Sequence, residues 1–182
     1  MESCKDDIMG KFDYQVAMDK FDFLMMCFYE VLRMEPPAAQ STQQSVTRDV
    51  NIDVGGRKIH LKQGTQFSIS FEGIHYDPHQ WPEPTRFVPD RFNSKLKDNK
   101  WLLTSDGQPR NPLAFTPFMG GKRVCLGKTF AEVNIRFTLP LLLYFLDFEF
   151  ADPAQARVPK QPYAAGGRDE LDLKMRVTPR AK

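Results

Sequence analysis

Reactive side chains are scarce in this chain, with only three cysteines and three histidines in 182 residues. Cys4, Cys27 and Cys125 are too widely spaced for a disulfide framework or a zinc knuckle, and they suit a reducing compartment. His60, His75 and His79 read as ordinary side chains rather than metal ligands. Long apolar runs are missing too. The longest, residues 139–146, contains Pro140 and falls far short of the roughly 18 residues that a membrane span needs. The opening MESCKDDIMGK reads as neither a signal peptide nor a membrane anchor. Neither sign of charge dominates, because 25 Lys and Arg stand against 23 Asp and Glu for a net charge of +2. Without a basic stripe and interleaved aromatics, a nucleic-acid partner is not expected.

Phenylalanine, by contrast, is plentiful. Fifteen Phe and two Trp suit either an aromatic core or a large apolar ligand pocket. The chain has the size of one domain and shows no internal repeat. Residues 21–33 lack Gly and Pro, and Leu24, Cys27, Phe28, Val31 and Leu32 recur at helical spacing, so a helix is expected up to Pro36-Pro37. Some of residues 11–20 should form preceding turns. Between Ser45 and Phe71 the pattern turns to strands. A hairpin is expected around Gly55-Gly56, and a half-buried strand over residues 66–71, where Phe67, Ile69 and Phe71 alternate.

Residues 77–117 are rich in proline and show little periodicity, which in a compact domain points to a functional or a disordered segment. A helix follows Gly127, with Phe130, Val133, Phe137, Leu141, Leu142 and Phe145 on one face and Pro140 expected to kink or interrupt it. Strands are expected over residues 147–151 and 171–177, with a turn at Gly166-Gly167. The fold class is therefore α+β, mainly helical, with short antiparallel strands.

Chemistry concentrates in residues 117–127, Pro-Phe-Met-Gly-Gly-Lys-Arg-Val-Cys-Leu-Gly, which read F-x-x-G-x-R-x-C-x-G from Phe118. A cysteine just before a helix sits where free N–H groups and the helix dipole favour an anion. Gly120 and Gly121 allow a tight turn and close approach to a flat ligand. Gly127 omits a side chain where the helix would meet that ligand. Arg123 can pair with a carboxylate at the ligand's rim. Five fixed positions coincide by chance on the order of once in a few million starting points.

This segment resembles the cysteine loop of the cytochrome P450 family, and other pieces follow in that family's order. Glu30-Val-Leu-Arg33 is similar to its E-x-x-R helix, and Phe87-Val-Pro-Asp-Arg-Phe92 to the segment whose arginine completes a Glu-Arg-Arg triad. His75-Tyr-Asp-Pro78, Trp81 and Phe130-Ala131 also fit. The resemblance runs from about Phe21 to Val177, so residues 1–182 are expected to be the C-terminal part of a cytochrome P450 domain.

The resemblance implies haem b as cofactor, with Cys125 as its axial thiolate, a ligand that donates electron density to iron. It implies that Arg123 holds a haem propionate, that Phe118 shields the sulfur, and that Gly120 and Gly127 line the cofactor. Glu30, Arg33 and Arg91 would form a structural triad, taking no part in the chemistry. Ala38, Ala39, Ser41 and Thr42 would border the distal face of the haem, and Tyr163, Ala164 and Ala165 the pocket roof. Gln43 stands where many relatives place a basic residue for a propionate.

The implied reaction inserts one atom of dioxygen into a lipophilic substrate, with electrons from an NADPH-dependent reductase. The implied setting is the cytoplasmic face of the endoplasmic reticulum membrane. Neither the family's distal-helix pattern A/G-G-x-D/E-T-T nor its W-x-x-x-R segment occurs in these residues. The chain alone is therefore expected to be inactive, and apart from Cys125 no catalytic residue is expected in it. The rival expectation is a catalytically dead haem-binding or interaction module.

Overall fold

The computed structural model describes residues 12–154 and 174–180, which fall into two compact units. One comprises Met1–Tyr29 and Gly120–Lys182, the other Glu30–Met119. All three sheets among the described residues are antiparallel strand pairs, and mixed α+β is the class observed.

In the first unit a short helix, α1 (Tyr14–Asp19), starts where the Asp13 carboxylate accepts the Val16 N–H at 2.9 Å. Helix α2 (Asp22–Met34) begins in this unit and ends in the other. The long helix α4 (Lys128–Phe145) lies against α1, where Arg136 Nη1 donates to the Met18 carbonyl at 2.9 Å. The Phe12 and Tyr14 rings stand 5.7 and 6.2 Å from that of Phe137. Pro140 does not interrupt α4, although it removes one helical hydrogen bond. None of the 18 residues of α4 is buried. Strand β5 (Leu146–Phe150) then pairs with β6 (Met175–Pro179). The expected Gly166-Gly167 turn and residues 171–173 lie outside the described residues.

The second unit holds most of the buried side chains. In α2 the buried positions are Met25, Met26, Glu30, Leu32 and Arg33, whereas Val31, expected inside, is 47% exposed. The inner stripe is thus Met26, Glu30 and Arg33, at helical spacing but half ionic. After α2, β1 (Gln44–Ser45) pairs with β4 (Gln66–Phe67), and β2 (Val50–Val54) with β3 (Arg57–Leu61). The hairpin turns at Gly55 and Gly56, with φ of +59° and +80°, values open to glycine without strain. Its register sets Val50 opposite Leu61 and Ile52 opposite Ile59 on one apolar face, which lines an open groove with Val46 and Phe67.

The strand expected over 66–71 ends early. Phe67 and Ile69 remain exposed, while Phe71 is buried and opens helix α3 (Phe71–His75). Ser70 causes the switch: its Oγ accepts the Gly73 N–H at 3.0 Å and caps the helix, and a local side-chain bond of this kind outcompetes a two-residue ladder.

Residues 77–117 contain no regular strand or α-helix, only 3-10 turns at Pro89–Phe92, Lys100–Leu102 and Pro112–Ala114. Yet Trp81, Val88, Arg91, Asn99, Thr104 and Ala114 are all buried there. Side chains stand in for a backbone ladder: Asn99 Nδ2 donates to the carbonyls of Asp90 and Asn93 at 2.6 and 2.9 Å.

Candidate functional site

Two groups of expected site residues can be traced. The first surrounds Glu30. Arg33 grips this carboxylate twice, Nε to Oε2 at 2.8 Å and Nη2 to Oε1 at 2.9 Å, a forked geometry open to guanidinium but not to ammonium. Oε1 also accepts the Val88 N–H at 2.8 Å and Arg91 Nε at 3.2 Å. Glu30, Arg33 and Arg91 are 0%, 0% and 1% exposed, so these charges have traded water for one another. Burial draws the Arg91 guanidinium below its ordinary value, and Glu30 opposes the shift.

Further donors spread the cluster through the unit. Arg33 Nη1 donates to the His75 carbonyl at 2.9 Å, and Arg91 Nη2 to that of Glu83 at 2.8 Å. Trp81 lies between two cations, with Arg110 3.7 Å and Arg33 5.4 Å from its ring. Arg110, which sequence reasoning passed over, also donates to the Gln80 and Trp101 carbonyls. Its guanidinium is drawn down to about 10, first by burial and then by the charges of Arg91 and Arg33. No periodicity marks Arg110; the only cue in the sequence is an arginine within a proline-rich stretch.

The second group is the cysteine segment. The turn before it carries Phe118, which is half-buried, and Met119, whose φ is +62°. Gly121 has φ +61°, but Gly120 is extended, at φ −155° and ψ 174°. The tight turn therefore needs Gly121, whereas the backbone at Gly120 is open to any residue. A 3-10 turn, Gly121–Arg123, leads to Cys125 and α4.

Cys125 is a free, exposed cysteine three residues before the first residue of α4, whose cap, Gly127, offers no side-chain acceptor. The Lys128 N–H turns back to the Cys125 carbonyl at 3.2 Å, and the 18-residue helix starts there, close in sequence to the thiol. A Cβ built on Gly127 would lie 3.7 Å from Cys125 Sγ, in the space next to the sulfur. Arg123 is exposed, and so are its apolar neighbours Val124 (45%) and Leu126 (101%), with Phe130 (73%) one turn into the helix. Scattered apolar exposure is common, but three such side chains close in sequence to one thiol describe a surface suited to an apolar ligand.

The remaining expected positions differ in character. Ala38 and Thr42 are exposed and Ala39 is half-buried. Ser41 is buried, and its hydroxyl accepts the Ile69 N–H at 2.9 Å while donating to the Thr42 carbonyl at 3.2 Å. That hydroxyl pins backbone to backbone rather than facing a ligand. Gln43 is exposed. Tyr163, Ala164 and Ala165 lie outside the described residues, as does Cys4. His60 and His79 are surface side chains beside Asp49 (3.7 Å) and Asp106 (3.3 Å). Among the described residues no helix is long and apolar enough to cross a membrane.

Known proteins resemble this chain over most of its length. The family model for cytochrome P450 matches residues 8–167. The chain is 30% identical over 98% of its length to taurochenodeoxycholic 6 alpha-hydroxylase of Sus scrofa, covering 33% of that protein. It is 39% identical over 66% of its length to cytochrome P450 4F3 of Rattus norvegicus, covering 20% of it. Among solved structures it is similar to a retinoic acid-bound cyanobacterial CYP120A1, with TM-score 0.59 and 28% identity over 74% of this chain and 28% of that one. The chain thus spans a third or less of the length of these proteins.

Proposed function

The chain belongs to the cytochrome P450 family, and from that premise we propose that it is the cysteine-loop portion of a haem-dependent monooxygenase. The proposed reaction inserts one atom of dioxygen into a lipophilic organic substrate, the other atom leaving as water, with electrons from an NADPH-dependent reductase. The proposed setting is the cytoplasmic face of the endoplasmic reticulum membrane.

The observation that carries this reading is the Cys125 thiol, exposed at the uncapped start of α4 with the space beside its sulfur left open by Gly127. A single thiolate is a ligand that haem iron takes from a protein. The exposed apolar side chains flanking Cys125 suit the face of a porphyrin, so the residues present fit the group. When bound, haem would supply dioxygen activation, with the Cys125 sulfur as an electron-rich ligand.

This chain's residues bind and orient the cofactor. Cys125 would ligate the iron, and Arg123 would pair with a propionate. Phe118 is the proposed cofactor neighbour on the preceding turn, and Gly120 and Gly127 would leave room for the ring. Glu30, Arg33 and Arg91 hold the second unit rigid and touch neither cofactor nor substrate. Ala38, Ala39 and Thr42, with Tyr163 and Ala164, are the proposed substrate neighbours, and the engaged hydroxyl of Ser41 shapes their backbone.

The test is turnover of the full-length protein with a flavoprotein reductase, NADPH and isotopically labelled dioxygen over a panel of lipophilic substrates. The reading expects one labelled oxygen atom per product molecule. Product oxygen drawn from water would contradict it.

A further inference from the structure

One buried group of the second unit has no role in the reading above. His75, the last residue of α3, is fully buried, and its two polar ends face different parts of the unit. Its carbonyl accepts Arg33 Nη1 at 2.9 Å, which joins it to the Glu30 pair. Its ring Nε2 lies 3.1 Å from the backbone nitrogen of Thr116. A peptide N–H can only donate, so Nε2 is the bare nitrogen and Nδ1 carries the ring proton. Phe71 and Phe115 stand beside the imidazole, with ring centroids 6.3 and 5.5 Å away.

Thr116 opens the turn that carries Phe118. Its carbonyl accepts the Met119 N–H at 3.0 Å, and Pro117 and Phe118 form the bend. Pro117 has no N–H, so the Thr116 amide is the last backbone donor before the bend. Met119 adopts a left-handed φ of +62°, which a long side chain keeps only where surrounding structure holds it. The anchor on the near side of that turn is His75.

We propose that His75 is a positioning residue of the cysteine loop, through which the Glu30–Arg33 pair fixes the turn bearing Phe118. The link runs from Glu30 to Arg33, from Arg33 to the His75 carbonyl, and from the His75 imidazole to the Thr116 N–H. This rests on the reading of residues 117–127 as the haem-binding cysteine loop. His75 touches neither cofactor nor substrate in this account; it sets where Phe118 stands.

The experiment compares the chain with its His75→Phe and His75→Gln variants. Phenylalanine keeps the ring against Phe71 and Phe115 but removes the acceptor. Glutamine restores an acceptor, because its Oε1 is as many bonds from the backbone as Nε2. Two signals are read: hydrogen exchange of the Thr116 amide, and the carbon-monoxide band of the reduced, haem-loaded chain.

His75→Phe should speed Thr116 exchange about tenfold, as loss of one buried hydrogen bond implies, and should shift the band away from the thiolate type. His75→Gln should recover both. Unchanged exchange and an unchanged band in the Phe variant would overturn the proposal, as would failure of Gln to recover either signal. If the unaltered chain takes up no haem, the haem reading is what fails. Thr116 exchange then decides the positioning claim alone, upheld by loss in Phe with recovery in Gln and overturned by any other pattern.

Discussion

Glu30 and Arg33 meet in a fully buried fork, two hydrogen bonds of 2.8 and 2.9 Å between residues three apart on one helix. On an exposed helix such a pair is worth a few tenths of a kcal/mol. Here the same spacing faces inward, and Val88 and Arg91 add two more bonds to the same carboxylate. Removing one charge would leave two guanidinium groups in a dry interior. Glu30→Gln should therefore lower the unfolding free energy by about 3–5 kcal/mol, read from urea denaturation. A loss under about 1 kcal/mol would mean that water reaches the cluster.

His75 gives the fold a dependence on acid. Burial lowers the imidazole from 6.5 to about 4, aided by the charge of Arg33 and opposed by a backbone hydrogen bond. Between those values the unfolded chain binds a proton that the folded chain refuses, so stability is intact above about pH 6.5 and falls as pH drops toward 4. From about pH 7 to about pH 4.5 the chain should lose about 2 kcal/mol more than its His75→Phe variant. Parallel pH profiles for the two would show that the ring is already protonated or exposed in the folded chain.

The two units should differ in protection. Helix α4 buries none of its residues, whereas Glu30, Arg33, His75, Trp81 and Arg91 are all within 1% of full burial. Amides along α4 should therefore exchange through local opening, well before those of Val88 and Thr116, whose N–H groups are bonded to Glu30 and His75. Native-state hydrogen exchange resolved by residue measures this. Equal protection in α4 and at Val88 would count against it.

What the sequence could reveal depended on how local the determining physics was. The cysteine segment was legible because its chemistry requires fixed residue types within ten positions, and the hairpin because Gly55-Gly56 marks a positive-φ turn. The inner face of α2 was misread. An apolar stripe pointed to Val31, but the buried face includes Glu30 and Arg33, whose partners Val88 and Arg91 lie 58 and 61 residues from Glu30. Apolar periodicity cannot weigh a charge neutralised from that far away. Likewise residues 77–117 offered no period, yet they form much of the core, because Asn99 and Arg110 satisfy backbone carbonyls one at a time.

Ser70 is the one local signal that was available and outweighed. The alternation of Phe67, Ile69 and Phe71 favoured a strand, although a serine three residues before a glycine amide can cap a helix. Ser70→Ala should cost about 1 kcal/mol, visible as a shift in the urea midpoint. No shift would return those residues to the strand reading.

The identity of the iron ligand is the claim on which the rest depends. It is tested most directly by the reduced carbon-monoxide difference spectrum of the haem-loaded chain beside its Cys125→Ala variant. The account predicts a red-shifted, thiolate-type Soret band that the variant lacks. The same band in both proteins, or haem bound through another ligand in both, would contradict it.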